Sequence, residues 1–75
     1  MITAVKLEDL REGDRASVLS LVGNQYDVAR LSAMGIRGGA RLQLLREGVP
    51  CIIGLDDSRL CLRPNKDLQI LVRPD

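Results

Sequence analysis

Histidine, tryptophan and phenylalanine are absent from this chain of 75 residues, and tyrosine occurs once, as Tyr26. Without histidine, the side chain that most readily exchanges protons near neutral pH is missing, and with it a frequent metal ligand. A single tyrosine offers no platform on which successive bases of a single-stranded nucleic acid could stack. Cysteine is scarce as well. Cys51 and Cys61 form no disulfide framework, so stability must come from buried aliphatic side chains. No apolar run approaches the roughly 18 residues that mark a membrane span. The opening Met1-Ile2-Thr3 lacks a basic stretch followed by an apolar one, so no secretory signal is expected. Eleven basic residues nearly cancel ten acidic ones, leaving +1, which argues against a strong grip on nucleic acid or an anionic membrane. These absences predict a cytosolic chain with free thiols, no cofactor, no nucleic-acid binding and no direct membrane insertion.

What is present points to one small globular domain spanning 1–75, since 45% of the residues are hydrophobic and 28% charged. Leu7 to Gly13 reads as a helical turn, with Glu8 or Asp9 able to satisfy its first amides and Gly13 closing it. A strand is expected over Arg15–Val22. The clearest helix is Asn24–Met34: Asn24 is a natural N-cap, and Asp27 stands three residues on, where a variant capping box would reach back. Val28, Leu31 and Met34 are spaced as one buried face. Gly35 falls where a left-handed C′ residue belongs, and Ile36 follows at C″, where it would pack against Leu31. Arg37-Gly38-Gly39 is a turn. Four more short strands are expected, at Ala40–Arg46, Pro50–Leu55, Arg59–Arg63 and Leu68–Arg73, with turn-rich connectors that include Pro64-Asn65-Lys66-Asp67. Five strands with a helix after the first predict a small, strongly bent barrel.

Three elements stand in a recognisable order: Leu7-x-x-Leu10-x-x-Gly13, then Arg30-Leu31-x-x-Met34-Gly35-Ile36-x-x-Gly39, then Leu60-x-Leu62-Arg63. From about Leu7 to Val72 the chain resembles the ferrous iron transport protein A family, FeoA. The resemblance implies a mainly β, five-stranded SH3-like barrel with one α-helix after the first strand. It implies a small cytosolic accessory of ferrous iron uptake, whose partner is the cytosolic region of a FeoB-like membrane permease. A related domain ends iron-dependent repressors, so the alternative is a regulatory or nucleic-acid-binding barrel. The chain departs from the family pattern in a loop shortened to Glu47-Gly48-Val49-Pro50, in Gly38-Gly39 where Pro-Gly is common, and in Asp67 where a small apolar residue is usual.

Catalysis has little to stand on. Ser17, Ser20, Ser32 and Ser58 have no recognisable base, and Gly35, Gly38 and Gly39 follow a helix, whereas phosphate loops precede one. No metal site is expected. The acidic residues Glu8, Asp9, Glu12 and Asp14, and the pair Asp56-Asp57, lack calcium-loop spacing. Strand alternation sends Cys51 inward with Ile53 and Leu55, and Cys61 outward with Arg59 and Arg63, so the thiols cannot share an ion. The same alternation leaves Leu45, Ile52 and Cys61 pointing outward as neighbours. An outward apolar group of this kind predicts a docking surface for a permease-like partner or for a second copy of the chain. Gly13, Asn24, Leu31, Met34, Gly35, Ile36 and Gly39 are expected to be structural.

Overall fold

A computed structural model describes residues 3–64 and 67–75. Among these the chain forms β1 (Val5–Lys6), a 3-10 turn (Leu7–Asp9), β2 (Arg15–Val22), α1 (Gln25–Ala33), β3 (Arg41–Arg46), β4 (Cys51–Gly54), β5 (Arg59–Leu62) and β6 (Gln69–Pro74). All strand pairings are antiparallel, in the order β1-β6-β2-β3-β4-β5. The expected Asn65 and Lys66 of the last connector, and Met1-Ile2 at the start, lie outside the described residues.

Two features correct the sequence reading. Among the described residues there are six strands rather than five, because Val5 pairs with Val72 and Lys6 with Leu71. Two residues are too few for alternation to announce a strand. As a consequence α1 follows the second strand instead of the first. Nor does the sheet close into a barrel: β1 and β5 are its edges. Closure would need β1 to pair with β5, and among the described residues β1 pairs only with β6 and β5 only with β4.

Alternation builds the core. Ala16 and Val18 of β2, Leu42 and Leu44 of β3, Cys51 and Ile53 of β4, Leu62 of β5, and Ile70 and Val72 of β6 are all buried, joined by Leu7, Leu10, Leu31, Ile36 and Leu68. Two bulges interrupt the pattern, one between Val18 and Ser20 and one between Leu44 and Arg46. A bulge bends its strand and increases local twist, which lets a short sheet curve around this core. No helix among the described residues is long and apolar enough to cross a membrane.

Helix α1 begins and ends as its sequence demands. The Asn24 side-chain oxygen accepts from the Asp27 amide at 2.9 Å, and its Nδ2 donates to the Asp27 carboxylate at 2.9 Å. The reciprocal bond of the capping box therefore runs between side chains. At the other end the Ile36 amide donates to the Leu31 carbonyl (2.9 Å) and the Gly35 amide to the Ser32 carbonyl (3.1 Å). That pair of bonds is a Schellman closure, and it requires the left-handed backbone Gly35 adopts, φ +99°. Ile36 is fully buried and shares the core with Leu31. Met34 is a correction: it is 41% exposed rather than part of the buried face. As the C-cap it sits where the chain leaves the helix, and Ile36 takes the inward place beneath it.

The N-terminal turn also differs in detail. It is a single 3-10 turn entered from Lys6, which has no acceptor, and no side chain caps it. Neither Glu8 nor Asp9 does the capping expected of it. Gly13, at φ +92°, instead serves the next turn, where the Asp14 amide donates to the Arg11 carbonyl (2.9 Å). Gly39, at φ +90°, holds the corresponding place between Arg37 and Ala40, whose amide donates to the Arg37 carbonyl at 2.9 Å.

Candidate docking surface

The outer face of β3, β4 and β5 is organised in cross-strand rows. Arg46 pairs with Ile52, which pairs with Cys61; Gln43 pairs with Gly54, which pairs with Arg59. The second row continues through Gln43 to Arg15 on β2. Ile52 is half-buried and Cys61 exposed. They are directly opposite each other, so the structure brings these two predicted residues together.

Leu45 does not join their row. It is the extra residue of the β3 bulge, and its side chain lies across Gly54. A Cβ built on Gly54 would meet Leu45 Cδ1 at 3.1 Å. Leu45, 37% exposed, therefore walls a groove of about 540 Å³ whose floor is Gly54 and whose sides include Arg15, Gln43 and Arg59. At its rim the exposed Arg41 guanidinium pairs with the Asp75 carboxylate, an ion pair worth under about 1 kcal/mol in solvent. Gly54 escaped sequence reasoning, whereas the outward place of Arg59 was legible from strand alternation. A glycine inside a strand pattern is the signal that could have revealed such a close approach.

Cys61 and Arg63 also line a second groove of about 430 Å³, whose opposite wall includes Asp27, Arg30 and Leu31 of α1 together with Leu68. The shortened loop is tied down next to β3. The Glu47 amide donates to the Glu12 carboxylate, and the Glu12 amide to the Glu47 carboxylate, both at 3.2 Å. This reciprocal pair fixes the loop against the turn that precedes β2.

The chemistry of the surface is limited. Cys51 is buried and Cys61 exposed, and they are not register partners, since Cys51 faces Leu62. Burial pushes the Cys51 thiol above its ordinary pKa; a hydrogen bond with its own backbone opposes this, and the nearby Glu8 carboxylate adds a smaller upward push. A buried, protonated thiol is a core hydrophobe rather than a nucleophile or ligand. Among the described residues no three His, Cys, Asp or Glu side chains come together to hold a metal ion, and none that is polar or charged is buried. The geometry offers shape, apolar contact and charge.

Such a molecule is a small, mainly β domain with one helix. It belongs to the FeoA family: the FeoA domain model matches residues 5–74. That family is an accessory one of iron uptake and not a known enzyme family. The chain is also similar to the crystal structure of an iron uptake regulatory protein, FeoA, with a TM-score of 0.86 and 25% sequence identity, over 97% of this chain and 100% of the other. No curated protein sequence matches it.

Proposed function

We propose that the chain is a cytoplasmic, protein-binding accessory of ferrous iron uptake that docks on the cytosolic region of a FeoB-like membrane permease. In this reading its bent sheet is an SH3-like barrel left open between β1 and β5, and it works without catalysis, cofactor or resident metal. The observation that carries the proposal is the family match over residues 5–74. The similarity to an iron uptake regulatory protein over nearly the whole of both chains supports it. A nucleic-acid role draws no support from the surface, where Tyr26 stands as a single aromatic, 75% exposed.

The docking surface in this proposal is the outer face of β3, β4 and β5, with Ile52 and Cys61 at its centre and Leu45 beside them. A titration of the chain against the isolated cytosolic region of a FeoB-like permease tests it. Saturable binding is the expected result. Absence of binding at concentrations well above those of transient protein contacts overturns the reading.

A further inference from the structure

The outer edge of β5 is as informative as its face. The Leu55 amide donates to the Ser58 carbonyl at 2.8 Å, and the β4–β5 register runs without a shift from Gly54↔Arg59 to Cys51↔Leu62. In an antiparallel ladder, hydrogen-bonded and non-hydrogen-bonded pairs alternate. Counting from the Leu55–Ser58 pair, Leu60 and Leu62 bond to β4. The amides and carbonyls of Arg59 and Cys61 therefore point away from the sheet, about 6.8 Å apart along the strand. No strand occupies that edge among the described residues.

An open edge is a template for a further strand. The side chains beside it say which one. Arg59 and Cys61 lie on the outer side of β5 and Arg63 follows its last residue; all three are exposed. Among the described residues neither arginine has an ion-pair or hydrogen-bonding partner. A second copy of the chain, pairing antiparallel about Cys61, would set Arg59 against Arg63, and like charges placed opposite each other destabilise a sheet. The same positions welcome carboxylates. Opposite Cys61, next to Ile52, an apolar side chain would extend the outer row. Asp56 and Asp57 stand in the turn before Arg59, and Asp27 and Arg30 of α1 line the groove beside Cys61 and Arg63, so each arginine has a carboxylate in its neighbourhood as well.

We propose that β5 accepts an extended segment of a partner protein as a seventh strand, and that the segment alternates as acidic, any, apolar, any, acidic. The apolar residue packs on Cys61 and Ile52, and the carboxylates meet Arg59 and Arg63. The inference rests on the docking reading above and names the partner's chemistry.

A fluorescent synthetic peptide containing Glu-Thr-Val-Thr-Glu, capped at both ends, is the probe, with the same peptide carrying Lys for Glu as the control. The proposal expects the acidic peptide to bind and the basic one not to. The Arg59→Glu/Arg63→Glu double variant should weaken binding by about tenfold or more. Amide hydrogen exchange on the intact chain gives the decisive readout, and it needs no variant. The Arg59 and Cys61 amides should exchange fast in the free chain and become protected by peptide, while Leu60 and Leu62 are protected throughout. Cys61→Pro removes one outward donor without touching the bonds to β4, and should abolish peptide binding. Failure of the acidic peptide to bind, or binding that leaves the Arg59 and Cys61 amides unprotected, overturns the proposal. If the permease region binds while those two amides exchange unchanged, the edge proposal falls and the docking reading stands. If neither the peptide nor the permease region binds, both fall.

Discussion

Strands β6 and β5 have similar alternating sequences and opposite fates. β6 has a neighbour on each side, β1 and β2, and of its outward residues Gln69 and Leu71 are half-buried, while Arg73 near its end is exposed. β5 has one neighbour. Its outward residues Arg59 and Cys61 are exposed, and Leu60, which points inward, is still only half-buried. Alternation decides which way a side chain points, while the number of flanking strands decides how much water it loses. The well-flanked half is the part that holds the fold, and the thinly flanked half has surface left over for a partner.

That comparison breaks most visibly within β4, where adjacent isoleucines belong to the two worlds. Ile53 is fully buried, so Ile53→Ala should lower unfolding free energy by about 2–5 kcal/mol through lost burial and a residual cavity. A denaturant titration measures this. If the loss is under about 1 kcal/mol, the β4 core is not the support described here.

Its neighbour tests the other side. Ile52→Glu should leave the chain folded, with a small change in melting temperature, and weaken binding to the permease region by up to about a hundredfold. A variant that loses stability as fast as it loses binding would show Ile52 to be core and dissolve the contrast between the two isoleucines.

Two glycines sharpen the comparison further, because each is needed for a different reason. At Gly35 there is room: an added Cβ would lie 3.5 Å from Leu55 Cδ1. The backbone is the obstacle, with φ at +99°, and Gly35→Ala should destabilise by about 1 kcal/mol or more. At Gly54 the backbone is ordinary and the space is not, since Leu45 Cδ1 comes within 3.1 Å of the added carbon. Leu45 is a partly exposed, flexible side chain that can swing away. Gly54→Ala should therefore cost less than Gly35→Ala, while altering the groove that Leu45 walls. Paired thermal melts settle the order, and a larger loss at Gly54 would mean that Leu45 holds the bulge in place.

The smallest expected effect concerns the thiols. With its pKa raised by burial, Cys51 stays protonated in the folded chain at pH values where an unfolded chain already ionises. The folded-state value lies above the unfolded one, so the contribution to stability is intact below the ordinary thiol range and declines as pH rises through it. A modest fall in melting temperature there, removed by Cys51→Ala, is the expected signature. In native chain a thiol reagent should label Cys61 first and Cys51 only on unfolding. Equal labelling rates would contradict the opposite faces assigned to them.

Much of this molecule is legible in its residues, for a local reason. Asn24 and Gly35-Ile36 announce the ends of α1 because caps are satisfied within a few residues of chain. The alternation of Cys51, Ile53, Leu60 and Leu62 announces inward and outward faces because a strand repeats every second residue. Other features depend on residues far apart in sequence. The two-residue β1 is a strand only because β6 offers it an edge, and the sheet stays open because β1 and β5 do not pair with each other. Leu45 leaves the row of Ile52 and Cys61 because a bulge, set by the β3–β4 pairing, carries it over Gly54. Met34 keeps the helical spacing of a core residue yet is exposed, since the Schellman closure turns Ile36 inward in its place. Local chemistry thus determined the elements and their faces. Which edges stayed free, and therefore where a partner can pair, was decided only when strands distant in the chain competed for the same hydrogen-bonding groups.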